Sequence, residues 1–206
     1  MCIICIKPAN HDMPAPATRR AMWENNPDGA GIMYTYRGNV FIDKGFMSFV
    51  DMENHITHLG TLIDLTRTPM ILHYRIATHG GVNPQCTHPF PCSANPRVLR
   101  ATHAITHLGI AHNGIIPITP RRGFSDTMEY IADVLAQLPK PFYKDAKILE
   151  FITRDVGSCR LAMMDGSGHI AKVGNWITSD GLLFSNSSFH PRGLEATWLR
   201  RLLLEA

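Results

Sequence analysis

The chain has 206 residues, 18% of them charged, and a formal charge of +3 at pH 7. That length suits one domain, residues 1–206, with a sizeable core. Its basic residues fall in short pairs (Arg19-Arg20, Arg121-Arg122, Arg200-Arg201), so the charge pattern argues against a nucleic-acid partner. No stretch approaches the length of a membrane span, and no basic-apolar-small signal precedes the domain. The five cysteines are an odd count in a chain too long to need staples, which points to reduced thiols and a cytoplasmic setting.

In chain order, Cys2–Ile6 reads as a short internal strand, apolar on both faces. Lys7 to Pro16 is a polar, proline-bearing loop, and Thr18 is placed to cap a short helix through Trp23 and Glu24. The turn formers from Asn25 to Gly31 lead into a strand over Ile32–Tyr36, and Arg37-Gly38-Asn39 turns it into Val40–Ile42. A helix is expected from Phe46 to about His58, and a strand over Met70–Ala77. The segment from Val82 to Arg97 holds four prolines, Cys86, His88 and Cys92, and reads as a long loop of the kind that carries function. Ala104–His112 and Ile115–Ile118 flank Asn113-Gly114, a strong hairpin dipeptide. Ser125 is an N-cap for a helix bearing Met128, Ile131, Val134, Leu135 and Leu138, and a second helix covers about Tyr143–Thr153. Arg160–Met164, Ile170–Val173 and Leu182–Ser185 are expected strands, and Leu194 onward an amphipathic helix. Strands at both ends with helices in the middle predict α+β architecture.

Four pieces carry chemistry. Cys2, once Met1 is removed, would hold a thiol and a free α-amine on one residue. The amine, with an ordinary pKa of roughly 7.7–8, can serve as the thiol's base. In His73 to Gly80, an arginine at position 75 sits among apolar neighbours, where a carboxylate is its usual planar partner. At Asn113-Gly114 a side-chain amide and a backbone N–H offer two neutral donors of the kind a tetrahedral oxyanion needs. Ser125-Asp126-Thr127 opens a helix with an acidic residue on its positive end.

In this order the pieces resemble the glutaminase domain of the class II glutamine amidotransferases, members of the N-terminal nucleophile hydrolases. The resemblance rests on Met1-Cys2, the run Asn26-Pro27-Asp28-Gly29-Ala30-Gly31, the block from Arg75 to Gly80, His112-Asn113-Gly114 and Ser125-Asp126-Thr127. It implies a four-layer αββα sandwich of two stacked, mainly antiparallel sheets. It also implies that Cys2 attacks the side-chain amide of glutamine, that Asn113 and the Gly114 N–H stabilise the oxyanion, and that ammonia leaves before water hydrolyses the thioester. Arg75 would pair with the α-carboxylate, Asp126 with the α-ammonium, and Thr78 and His79 would line the pocket. No cofactor is implied. The partners implied are glutamine or a γ-glutamyl small molecule and a separate ammonia-accepting synthase, the chain being expected to carry no synthase half itself. Ile76, Ala30, Asn25 and Met128 depart from residues common in other branches, which leaves the amide substrate open.

Two other readings stand beside this one. A non-catalytic amino-acid-binding protein would keep Arg75 and Asp126 without needing Cys2. A zinc site could use Cys2 and Cys5 with Cys86, Cys92 or a histidine, although residues three apart on a regular strand face opposite ways. The loop from Cys86 to Cys92 is expected to be a lid over the glutamine pocket.

Overall fold

A computed structural model of the chain describes residues 1–77 and 81–191. It is α+β, with two sheets whose strand pairs are all antiparallel among the described residues. Strand β1, Ile3–Lys7, is buried at every position. Its run extends one residue beyond expectation because the Lys7 ammonium is caged by the carbonyls of Leu65, Thr66 and Thr68. Helix α1 spans Pro16–Asn25 and starts on Pro16 after Ala15, with no side-chain cap. Thr18 therefore lies within the first turn and does not cap it; the φ preset by proline starts the helix instead.

Strands β2 (Ala30–Tyr36) and β3 (Asn39–Phe46) form the expected hairpin; β2 starts two residues early and ends at Tyr36 as expected, and β3 is longer at both ends. Helix α2 is Phe49–Leu62, begun where Ser48 accepts the Asp51 N–H; Phe46 stays in β3. Strand β4 is Met70–Tyr74 and stops short of Arg75. From Cys86 to Cys92 the proline-bearing segment is packed into the fold rather than forming an open loop. Cys86 and Cys92 are buried in the core, Phe90–Pro91 (β5) pairs with a sheet, and Pro96–Arg100 forms the short helix α3.

The expected strand over Ala104–His112 is two strands. Strand β6 (His103–Thr106) joins β3, whereas β7 (Leu108–Asn113) enters the other sheet. The expected hairpin at Asn113-Gly114 does not form. Both edges of β7 are taken, by β5 and by β8 (Arg160–Asp165). Gly114, at φ +148°, carries the chain out of the sheet, and the next N–H groups find other partners. Helix α4 (Asp126–Asp133) is capped by Ser125 as expected and ends one turn early, and α5 (Ala146–Val156) is capped by Asp145. Strands β9 (Ile170–Val173), β10 (Ile177–Ser179) and β11 (Leu182–Phe184) complete the described chain. The amphipathic helix expected from Leu194 lies outside the described residues.

The larger sheet runs β10-β11-β1-β4-β2-β3-β6, and the smaller β5-β7-β8-β9. Ile4, Ile6, Met33, Ile42 and Ile71 of the first meet Ala111, Ala162 and Met164 of the second. A Cβ on Gly109 would lie 2.5 Å from Met33 Sδ, so this glycine is what lets the sheets approach. The far face of the larger sheet (Ile3, Cys5, Ile32, Leu72) packs on Met22 of α1 and Met52, Ile56 and Leu59 of α2. The far face of the smaller (Leu108, Ile110, Leu161, Met163) packs on Met128 and Ile131 of α4 and Ile152 and Val156 of α5. Among the described residues, no helix is long and apolar enough to cross a membrane.

Candidate active site

Cys2 precedes β1, and Ile4, two residues on, faces the space between the sheets. The Cys2 Sγ lies against the Ile76 backbone, 3.4 Å from both its N–H and its carbonyl oxygen. Burial raises the thiol pKa above its ordinary value, opposed by the Ile76 hydrogen bond, the Arg75 charge and the N-terminal charge. A thiol held protonated in this way needs a base within reach before it can attack. Cys5 sits on the opposite face, in the core beneath α1 and α2, so Cys2 and Cys5 cannot share a metal.

Arg75 follows the last residue of β4, and the Asn26–Gly31 turn fixes it there. The Arg75 N–H donates to Gly29 O (2.8 Å), and Asp28 N–H donates to Arg75 O (2.9 Å). Asp28 Oδ2 accepts the Ala77 N–H at 2.9 Å. Gly29 holds φ +115°, and a Cβ at Gly31 would strike His88 O at 2.2 Å. The turn is thus a bracket for the end of β4. The guanidinium is buried and donates to Gly81 O at 2.7 Å. Thr78 and His79, expected to line the pocket, lie outside the described residues.

Asn113 ends β7, buried, with its amide nitrogen 2.8 Å from Ser185 Oγ. That oxygen also accepts the Ile4 N–H at 2.9 Å, so one hydroxyl joins the two sheets two residues from Cys2. Asn113 Oδ1 is buried with no hydrogen-bond partner among the described residues. A Cβ on Gly114 would stand 2.4 Å from Cys159 Sγ, so that position admits only glycine at its φ. Asp126 is buried at the start of α4. Its Oδ2 accepts Ile116 N–H and its Oδ1 accepts Thr127 N–H, both at 2.9 Å. The carboxylate therefore ties the segment after Gly114 to the helix, with lone pairs remaining.

Several residues that sequence reading missed complete the neighbourhood. Asn186 Nδ2 donates to Cys2 O at 2.7 Å while its Oδ1 accepts from Ser188 N (3.0 Å) and Ser188 Oγ (2.6 Å). Asn26 Nδ2 in turn lies 3.3 Å from Ser188 Oγ, so the Asn26 turn and Cys2 share one chain of hydrogen bonds. Behind these groups is a buried imidazole cluster. His73 Nε2 lies 3.1 Å from His112 O, and Thr127 Oγ1 lies 2.8 Å from His112 Nδ1 and 3.1 Å from His88 Nε2. Burial pushes all three pKa values down, His73 to about 3, and the Arg75 charge adds to this at His73 and His88. They are neutral spacers that link β4, β7 and α4. Their partners are tertiary, so no sequence signal marks them as a cluster, although His73 and His112 fall within motifs.

No protein-family model matches the chain, and no curated protein does. The geometry has to carry the functional reading.

Proposed function

We propose that the protein is an N-terminal nucleophile hydrolase of the class II glutamine amidotransferase type, with the four-layer αββα sandwich of that group, and that it hydrolyses a glutamine or γ-glutamyl side-chain amide. The observation that carries the reading is the convergence of separate chain segments. The Cys2 thiol lies beside Arg75 and Ile76, and Ile4 and Asn113 meet on Ser185.

In the proposed mechanism, Met1 is removed and the freed α-amine of Cys2 takes the thiol proton. Sγ forms a bond to the amide carbon, whose oxygen becomes an oxyanion stabilised by Asn113 and the Gly114 N–H. The ammonium returns its proton to the leaving nitrogen, the carbon–nitrogen bond breaks and ammonia departs. Water then adds to the thioester, the carbon–sulfur bond breaks and glutamate leaves. Arg75 holds the substrate carboxylate and Asp126 its ammonium. The raised thiol pKa supports a role for the amine, because a protonated thiol at neutral pH cannot attack unaided.

The test pairs intact mass with glutaminase assays on wild type and Cys2→Ala. The expected result is loss of Met1, with glutamate and ammonia release that disappears in the variant. Activity on γ-glutamyl amides but not on glutamine would assign the substrate to that class. Retained Met1 with no turnover of either would overturn the reading. A further variant with lysine inserted between Met1 and Cys2, which blocks removal of the leader, is expected to melt at the wild-type temperature and to be inactive.

A further inference from the structure

We propose that Ser185 is a positioning residue that sets which way the Asn113 amide faces, and so presents its N–H group to the developing oxyanion. The inference rests on the proposed amidohydrolase reading and adds a residue that the reading does not contain.

A serine hydroxyl has one proton to give and two lone pairs to receive. Ser185 is buried, and its Oγ receives the Ile4 N–H at 2.9 Å. With the Asn113 nitrogen turned toward it, Oγ receives a second donor at 2.8 Å. Both lone pairs are then filled, the hydroxyl proton is left without an acceptor among the described residues, and Asn113 Oδ1 is buried and unpartnered. Two polar groups are orphaned in a buried site, each at a cost of about 1–3 kcal/mol.

Turning the amide by 180° exchanges its oxygen and nitrogen while leaving the side-chain shape unchanged. Ser185 then accepts from Ile4 and donates to Asn113 Oδ1 across the same 2.8 Å, and both orphans vanish. What then occupies the place where Oδ1 had no partner among the described residues is the Asn113 Nδ2 group, a pair of donors. An oxyanion formed on the Cys2 side supplies an acceptor for them. Ile4 is a backbone donor fixed in β1 that fills one lone pair of the hydroxyl, so giving its proton to Asn113 Oδ1 is what leaves every group of Ser185 Oγ satisfied. The strand that carries the nucleophile thus dictates the polarity of the oxyanion donor.

The experiment compares Ser185→Ala, Ser185→Thr, Asn113→Ala and the Ser185→Ala/Asn113→Ala double variant, each checked for wild-type-like thermal unfolding. The readouts are kcat, KM and the affinity for γ-glutamyl semialdehyde, whose thiohemiacetal with Cys2 carries the oxyanion, against affinity for glutamate. Losing one oxyanion donor costs about 10²–10³ in kcat. Ser185→Ala is therefore expected to lower kcat about 10²-fold and weaken the aldehyde similarly, with KM and glutamate affinity nearly unchanged. Ser185→Thr keeps a hydroxyl and is expected to retain most of kcat. The double variant is expected to be no slower than Asn113→Ala alone, because Ser185 acts through Asn113. If Ser185→Ala does not fold, Ser185→Cys, of similar shape but a weak donor, replaces it with the same expectation. Wild-type kcat in the Ser185 variant, or a further large drop in the double variant, would overturn the role of Ser185 while leaving the hydrolase reading standing. A folded wild type that turns over neither amide would overturn both.

Discussion

At the scale of single residues, the neutral imidazoles of His73, His88 and His112 make stability depend on acidity. Their charged neighbours are Arg75 and Lys44, which hold the cluster's protonation down, and Asp126, which opposes them at His112. Unfolded, each histidine takes a proton near pH 6.5; folded, His73 does so only near pH 3. Below 6.5 the unfolded chain thus binds more protons, and stability falls as pH drops toward 3, by up to about 1.4 kcal/mol per pH unit for each histidine. The melting temperature is expected to be lower at pH 5 than at pH 7. His73→Gln is expected to destabilise less at pH 5 than at pH 7, because it removes one of the groups that titrate. An equal cost at both would show that His73 takes its proton in the folded state too. Cys2, Arg75, Asn113 and Asp126 could be singled out from sequence because each belongs to a short motif. Ser185, Asn186 and Ser188 could not, since nothing near them in the chain distinguishes them from an ordinary polar strand end.

At the scale of elements, period-two and period-3.6 patterns marked most strands and the capped helices, because those signals are local. The errors fell where tertiary pairing decided the outcome. Asn113-Gly114 has the composition of a hairpin turn, yet β5 and β8 had already filled both sides of β7. Gly114 instead serves an exit from the sheet pressed onto Cys159. Gly114→Ala would place a methyl 2.4 Å from Cys159 Sγ and 3.1 Å from its Cα, at a φ that side chains avoid. Overpacking of this kind costs about 1–3 kcal/mol before the backbone strain is added. The expected outcome is a lowered denaturation midpoint in urea together with loss of activity; an unchanged midpoint would mean that the loop relaxes freely. Ser125→Ala, which removes only the α4 cap, is expected to cost about 1 kcal/mol by the same measurement.

At the scale of the whole molecule, the larger sheet closes the chain on itself, with β1 held between β4 and β11. Residues 1–180 alone would lack β11, Ser185 and Asn186, leaving one edge of a fully buried strand open. Such a fragment is expected to lose cooperative thermal unfolding, as followed by circular dichroism; a sharp transition would show that β4 suffices to hold β1. The α+β class was legible because strands follow one another directly, as in the β2–β3 hairpin and the run from β8 to β11, instead of alternating strictly with helices. Two sheets were expected from the family resemblance, but not where they divide, which turns on the break between Thr106 and Leu108.

The bond between Ile4 and Ser185 joins positions 181 residues apart. Chains are made from the N-terminus, so the ribosome exposes Cys2 long before its last neighbours exist. Until then Cys2 lacks the Asn186 side chain that donates to its carbonyl and the Ser185 hydroxyl that receives the Ile4 N–H. Those contacts form only once β11 and the residues that follow it, the last strand among the described residues, have been made. On the proposed mechanism, trimming of Met1 would therefore precede activation, and an unfinished chain would lack the Ser185 and Asn186 contacts beside Cys2.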